Sequence, residues 1–242
     1  MNMKPLLISL CAALAAAPVA ANDRWNGQVT AYAWASGVGG DFTPRTGAPT
    51  LSFDRSFSDV IEDVDASFFL SAFARRDRFV LLGDFSASSS SRDGLIPPGV
   101  PAEGRLRQRS MTLLAGYRAV ADERMTLDAL AGMRAWRIKS RVSVAGGAVQ
   151  ASPGKSFVDP IVALRANIAL APRWSAILYA DYGGFGSGSE RTSQIVATAN
   201  YQVNDKLYLS AGYRRLDVDY RSGGTRVDVT MAGPIFGATL RF

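Results

Sequence analysis

Phe236-Gly237-Ala238-Thr239-Leu240-Arg241-Phe242 closes the chain. Phe236, Ala238, Leu240 and Phe242 are apolar, and Gly237, Thr239 and Arg241 stand between them. A period of two marks a β-strand, whose side chains leave alternately from its two faces. On a soluble sheet the apolar face packs on a core. On a transmembrane barrel it faces lipid, and the polar face lines the interior. The rest of the chain decides between the two.

The other end has the three-part layout of a secretory signal. Lys4 supplies a positive start, residues 6–20 are rich in Leu and Ala, and Val19-Ala20-Ala21 places small residues before a cleavage point. Residues 1–21 are therefore expected to be removed, leaving 22–242 as a single barrel domain that starts at Asn22. The apolar run is too short for a membrane-spanning helix, which needs about 20 such residues. Cys11 does not read as a lipoprotein cysteine, because bulky Leu10 precedes it and the apolar run continues beyond it. An alternating last strand that ends on phenylalanine resembles the signal read by the outer-membrane barrel-assembly machinery. Phe236, Leu240 and Phe242 are the expected assembly signal, and that machinery is the expected partner during biogenesis.

Between the ends, segments of about ten residues alternate in polarity and are separated by turn chemistry. The expected strands are 25–35, 66–74, 78–88, 106–119, 125–139, 157–170, 174–182, 193–203, 207–219 and 227–242. Four connections are tight: Arg75-Arg76-Asp77, 121–124, Ala171-Pro172-Arg173 and Asn204-Asp205-Lys206. Five are longer: 36–65, 89–105, 140–156, 183–192 and 220–226. Short turns on one side and long loops on the other are the periplasmic and external asymmetry of bacterial barrels. A soluble sandwich has little reason to sort its loops so. The fold class predicted is all-β, a closed antiparallel transmembrane β-barrel of about ten strands, with eight the alternative, integral to the bacterial outer membrane.

Parity assigns the faces. Leu127, Ala129, Ala131 and Met133 point one way, and Asp128 and Arg134 the other. Extended to every strand, it turns Asp84, Arg118, Asp128, Arg134, Asp159, Arg165, Asp181 and Arg214 inward, with Arg241. A ten-strand barrel is narrow enough for side chains nearly to fill it. Buried charges are costly unless paired, so these residues are expected to form an ion-pair network that plugs the lumen. The rival reading is a charged pathway for a small solute. Ala115-Gly116-Tyr117-Arg118, Ala131-Gly132-Met133-Arg134 and Ala211-Gly212-Tyr213-Arg214 share one pattern, which points to a shared structural need.

Arg105, Arg107 and Arg109 recur at every second residue near the external end of one strand. Arg137, Lys139 and Arg141 do the same on the next. All six continue the outward, lipid-facing parity, which places them on the outer wall just above the lipid belt. That is the level of lipid A phosphates, whose oxygens suit arginine forks. A merely solvated rim is the alternative.

Other features carry less. The glycines of residues 182–189 are spaced like a nucleotide loop, but a phosphate cradle needs a helix to follow and here a strand pattern does. Phe57, Val60, Ile61 and Val64 have the spacing of a short amphipathic turn at the barrel mouth.

The chain has no histidine, and its one cysteine is Cys11. Histidine is the side chain that most readily moves protons near neutral pH. A histidine-based catalytic site is excluded, as is a metal site of histidines or thiolates, and no carboxylate pair stands out. No catalysis, cofactor, metal or nucleic acid is expected. The modest basic excess, 27 Lys and Arg against 21 Asp and Glu, suits contact with anionic lipid.

Phe57-Ser58-Asp59-Val60-Ile61, Gly116-Tyr117-Arg118, Val158-Asp159-Pro160-Ile161-Val162, Gly183-Gly184-Phe185-Gly186, Gly212-Tyr213-Arg214 and Arg241-Phe242 give the chain its family likeness. It resembles small proteobacterial outer-membrane β-barrel proteins, mostly of unassigned function. The resemblance implies fold and location and supplies no substrate. The expected function is that of a non-enzymatic structural or surface-interaction barrel with a charge-filled lumen, in contact with outer-membrane lipid and lipopolysaccharide. The alternative is a narrow pore for small solutes. The sequence names no ligand for the external loops.

Overall fold

The computed structural model describes residues 25–43, 46–47, 50–55, 58, 64–96, 100–144, 149–151 and 154–242. In chain order the strands are β1 (Asn26–Trp34), β2 (Gly37–Thr43), β3 (Leu51–Arg55), β4 (Val64–Arg76), β5 (Phe79–Ile96), β6 (Val100–Ala121), β7 (Met125–Val144), β8 (Val149–Ala151), β9 (Gly154–Ala171), β10 (Trp174–Gly184), β11 (Arg191–Gln202), β12 (Leu207–Ser222) and β13 (Thr225–Arg241). The wall runs β1-β4-β5-β6-β7-β9-β10-β11-β12-β13, and β1 pairs with β13 to close it. The fold is a closed antiparallel ten-strand barrel.

Closure rests on the alternating C-terminal segment. Gln28 to Trp34 pair with Arg241 to Ile235, and Gly27 and Phe242 exchange backbone hydrogen bonds of 2.9 and 3.0 Å. The tight turns have local causes. Asp77 adopts a left-handed φ of 53°, which aspartate tolerates better than most residues. The Asp122 carboxylate accepts from the N–H groups of Arg124 and Met125. Asn204 does the same for Lys206 and Leu207. At Asp122 and Asn204 a short polar side chain replaces the missing ladder partner.

The repeated Ala-Gly-Tyr/Met-Arg pattern has one physical reason. A Cβ on Gly116, Gly132 or Gly212 would lie 2.0 Å from the carbonyl oxygen of Ala129, Leu113 or Ala197 on the neighbouring strand. Only glycine permits that approach. The arginine two residues on then enters the lumen beside it.

The ladders extend well beyond the expected strands. Residues 89–105 were expected to be a loop, but β5 and β6 stay paired up to Ile96 opposite Val100. The 36–65 connection contains β2 and β3; β2 continues up the edge of β13 beyond β1, and β3 pairs with β2. Residues 140–156 add β8 on the end of β7. The expected amphipathic turn at Phe57, Val60 and Ile61 lies outside the described residues, and Val64 begins β4. A barrel strand crosses a bilayer in about 9–11 residues. β6 has 22 and β7 has 20, so this sector of wall stands far above any membrane, whereas the turn after β10 stays low.

Outward side chains form the belt expected by parity. Leu113, Met133, Val162, Leu164, Leu178, Ile195, Leu209 and Leu240 are all exposed on the outer wall. Trp25 against Phe79 and Trp174 against Tyr201 mark its edge on the side of the tight turns. Phe68 against Phe85 and Tyr182 against Phe185 mark the opposite edge. Such paired aromatic girdles fit the two interfaces of a bilayer.

Candidate functional site: lumen and outer wall

The inward charges gather into three groups. In the first, the fully buried Asp128 carboxylate accepts from Arg118 at 2.7 and 3.2 Å and from Arg165 at 3.3 Å. The Arg165 guanidinium also lies 4.2 Å from the centre of the Phe73 ring. In the second, Arg134 forks onto Asp181 at 2.5 and 3.2 Å and donates to the hydroxyls of Thr112 and Thr192. Tyr179 donates to the same Asp181 carboxylate at 2.7 Å. In the third, Arg214 of β12 reaches across the lumen toward Asp84 of β5 at 3.5 Å. It donates to Gln194 at 2.7 Å and to the Tyr32 hydroxyl at 2.5 Å, and Tyr32 in turn donates to Asp84 at 2.8 Å. Trp34 stacks on this guanidinium at 4.5 Å. Arg241 lies 3.9 Å over the Tyr208 ring and donates to Gln28.

Asp159 differs from the expectation of an ion-paired residue. It sits directly opposite Arg134 on the β7–β9 ladder, yet Arg134 turns to Asp181. Among the described residues Asp159 has no cation. One of its oxygens accepts from the Ser189 N–H at 2.6 Å, and the other is buried without a partner. It holds the low turn after β10, where Gly184, Phe185 and Gly186 all take positive φ.

The interior is not only charged. One residue step above the Arg134 and Arg214 groups, Trp136, Leu216, Val218, Tyr220 and Met231 form a buried apolar cluster. Trp136 and Phe157 stack at 6.1 Å, and Phe157 and Tyr220 at 4.6 Å. These rings bring the β7–β9 side of the barrel against the β12 side across the lumen, toward its external end. The sequence reading had assigned the inner face by its polar residues and passed over this stack. Beneath it lies a cavity of about 150 Å³ lined by Arg134, Arg165, Arg214, Asp84, Tyr32 and Asn200, among others.

On the outer wall the β6–β7 register sets the six cations face to face. Arg105 lies opposite Arg141, Arg107 opposite Lys139, and Arg109 opposite Arg137. Five are exposed and Arg105 is half-buried, with Glu103 3.8 Å away. The flanking outward positions are Ala87, Ser89 and Ser91 on β5 and Ser156 on β9. Directly below come the lipid-facing Met111, Leu113 and Met133. Phe236, Leu240 and Phe242 are exposed on the outer face of β13 and at its end.

No family model matches the chain, and no curated protein matches it. Among solved structures it is similar to the outer membrane protease OmpT from Escherichia coli, with a TM-score of 0.63 over 93% of this chain and 99% of that one at 9% sequence identity. It also matches the translocator domain of the autotransporter NalP from Neisseria meningitidis, with a TM-score of 0.49, 14% identity, and 91% and 90% of the two chains covered. Ail, the attachment invasion locus protein of Yersinia pestis, matches at 0.41 and 13% identity over 90% and 98%. The likeness is one of fold alone, and that fold is the bacterial outer-membrane β-barrel.

Proposed function

We propose that this chain works in the bacterial outer membrane as a non-enzymatic structural or surface-interaction barrel, whose outer wall grips the phosphate-bearing lipid of the outer leaflet. The cationic ladder carries this reading. Like charges directly opposite on neighbouring strands are destabilising, on the order of 0.2–1 kcal/mol per pair. Three such rungs in succession, with one carboxylate near them among the described residues, need a counter-charge from outside the protein. Their position immediately above the apolar belt selects lipid A phosphates, and arginine forks suit phosphate oxygens.

A chain without histidine lacks the usual proton carrier of a hydrolytic site, and the lumen arginines are bound to Asp84, Asp128 and Asp181. Removal of residues 1–21 and recognition of the last strand by the barrel-assembly machinery belong to the same reading. The test replaces all six cations with Gln in the whole protein and measures the lipopolysaccharide that co-purifies from outer membranes. A severalfold fall is expected, with the heat-dependent gel shift of a folded barrel retained. Unchanged lipid content sinks the reading.

The cavity below the aromatic stack favours a second reading, a narrow pore. Planar-bilayer recording separates the two. Silence is expected of the closed barrel, and a defined ohmic step would favour the pore.

A further inference from the structure

The lumen groups do not balance one for one. Asp128 is a single carboxylate held at two oxygens by Arg118, and Arg165 makes only its 3.3 Å bond to the same group. Among the described residues the remaining N–H groups of Arg165 have no partner. Arg214 is also buried, and its Nε has none. Both arginines line the 150 Å³ cavity. Arg134 also lines it but is paired with Asp181, and the carboxylate in the lining, Asp84, is engaged by Tyr32 and Arg214; the shared carboxylate is Asp128, which serves both Arg118 and Arg165. The other polar lining is uncharged: Thr30, Ser71, Thr198, Asn200 and Thr239 are among it.

A buried guanidinium without its own counter-charge is costly, and the cost falls when an anion sits against it. A small cavity that sets hydroxyl and amide groups among apolar walls, beside an arginine bound only to a carboxylate it shares, is the chemistry of an anion site. We propose that the mid-lumen cavity binds a small monovalent anion, of halide or simple carboxylate size, against Arg165 and Arg214. The aromatic stack of Trp136, Phe157 and Tyr220 closes the external side of this site. The anion stabilises the barrel by neutralising the second cation of the Arg118–Asp128–Arg165 group.

Bromide tests this directly. Crystals of the whole protein soaked in bromide should give an anomalous peak in the cavity against Arg165, and the peak should vanish in Arg165→Met. An empty or water-filled cavity in the wild-type protein overturns the proposal, with no variant needed. A second measurement follows the urea midpoint of the gel shift in chloride and in gluconate, a bulky and weakly coordinating anion, at equal ionic strength. The wild-type barrel should be more resistant in chloride. In Arg165→Met the half-saturating chloride should rise about tenfold or more, as expected for one lost charge-assisted hydrogen bond. That variant should be no weaker than wild type in gluconate, since it removes an under-compensated cation and leaves Arg118 with Asp128. A variant that keeps the full chloride response overturns the proposal, as does one destabilised equally in both salts.

Discussion

Asp128 and Asp159 are both fully buried on the inner wall, one strand apart, and their substitution should have opposite consequences. Asp128 holds two guanidiniums, so Asp128→Asn strands two buried cations and should cost about 3–5 kcal/mol. Asp159 holds a backbone N–H and no cation among the described residues. Asp159→Asn keeps an amide oxygen for Ser189 and should change stability by about 1 kcal/mol or less. Urea titration of the gel shift reads both, and equal losses would show that Asp159 has a cation after all. Parity found both residues from the sequence, because alternation alone fixes which face a side chain takes. It did not find their partners. Arg214 meets Asp84 across the lumen, and Arg134 passes over its ladder neighbour Asp159 for Asp181. Those choices depend on barrel radius and stagger, which no single strand encodes.

At the scale of the element, the membrane-crossing parts of the ten wall strands were legible and their external extensions were not. Within the bilayer one face meets lipid and the other the lumen, so polarity alternates along a strand such as Met125 to Lys139. Above it both faces meet water and the pattern fades. Ser89-Ser90-Ser91 reads as a loop and is strand. The cationic run was visible because β6 and β7 keep alternating at the rim, with Arg105, Arg107 and Arg109 opposite Arg141, Lys139 and Arg137 on the outward face. The register makes a single-site test possible. Arg107→Glu sets a carboxylate opposite Lys139, and opposite charges there are worth roughly 0.2–1 kcal/mol. In lipid-free detergent this variant should resist urea better than wild type, yet it should retain less lipopolysaccharide when purified from membranes. Reduced resistance in detergent would mean that the rung is not repulsive as built.

For the molecule as a whole, an even strand number brings both ends of the barrel to the side of the tight turns, where β1 and β13 zip together and Gly27 and Phe242 finish the seam. Protein isolated from outer membranes should begin at Asn22 by N-terminal sequencing, and recovery of Met1 would refute the expected cleavage. Two unlike devices cross the lumen in series, charge pairs below and stacked rings above. The lower one was inferred from sequence because charges on an inner face demand partners. The rings were not, because an apolar residue on the inner parity looks like noise in an alternation until the opposite wall supplies Tyr220 for Phe157.

The tall sector of β5, β6 and β7 has an evolutionary corollary. What an antibody or a phage meets there is a paired sheet, a surface whose variation is constrained in kind. A flexible loop can lengthen or shorten freely. A single inserted residue in β6 would rotate everything beyond it by one face, turning Arg105, Arg107 and Arg109 toward the opposite side of the sheet. Escape from a recogniser on the paired strands of this blade is therefore confined to exchanging one side chain at a time, whereas a change in length is tolerated in a turn such as the low one between β10 and β11.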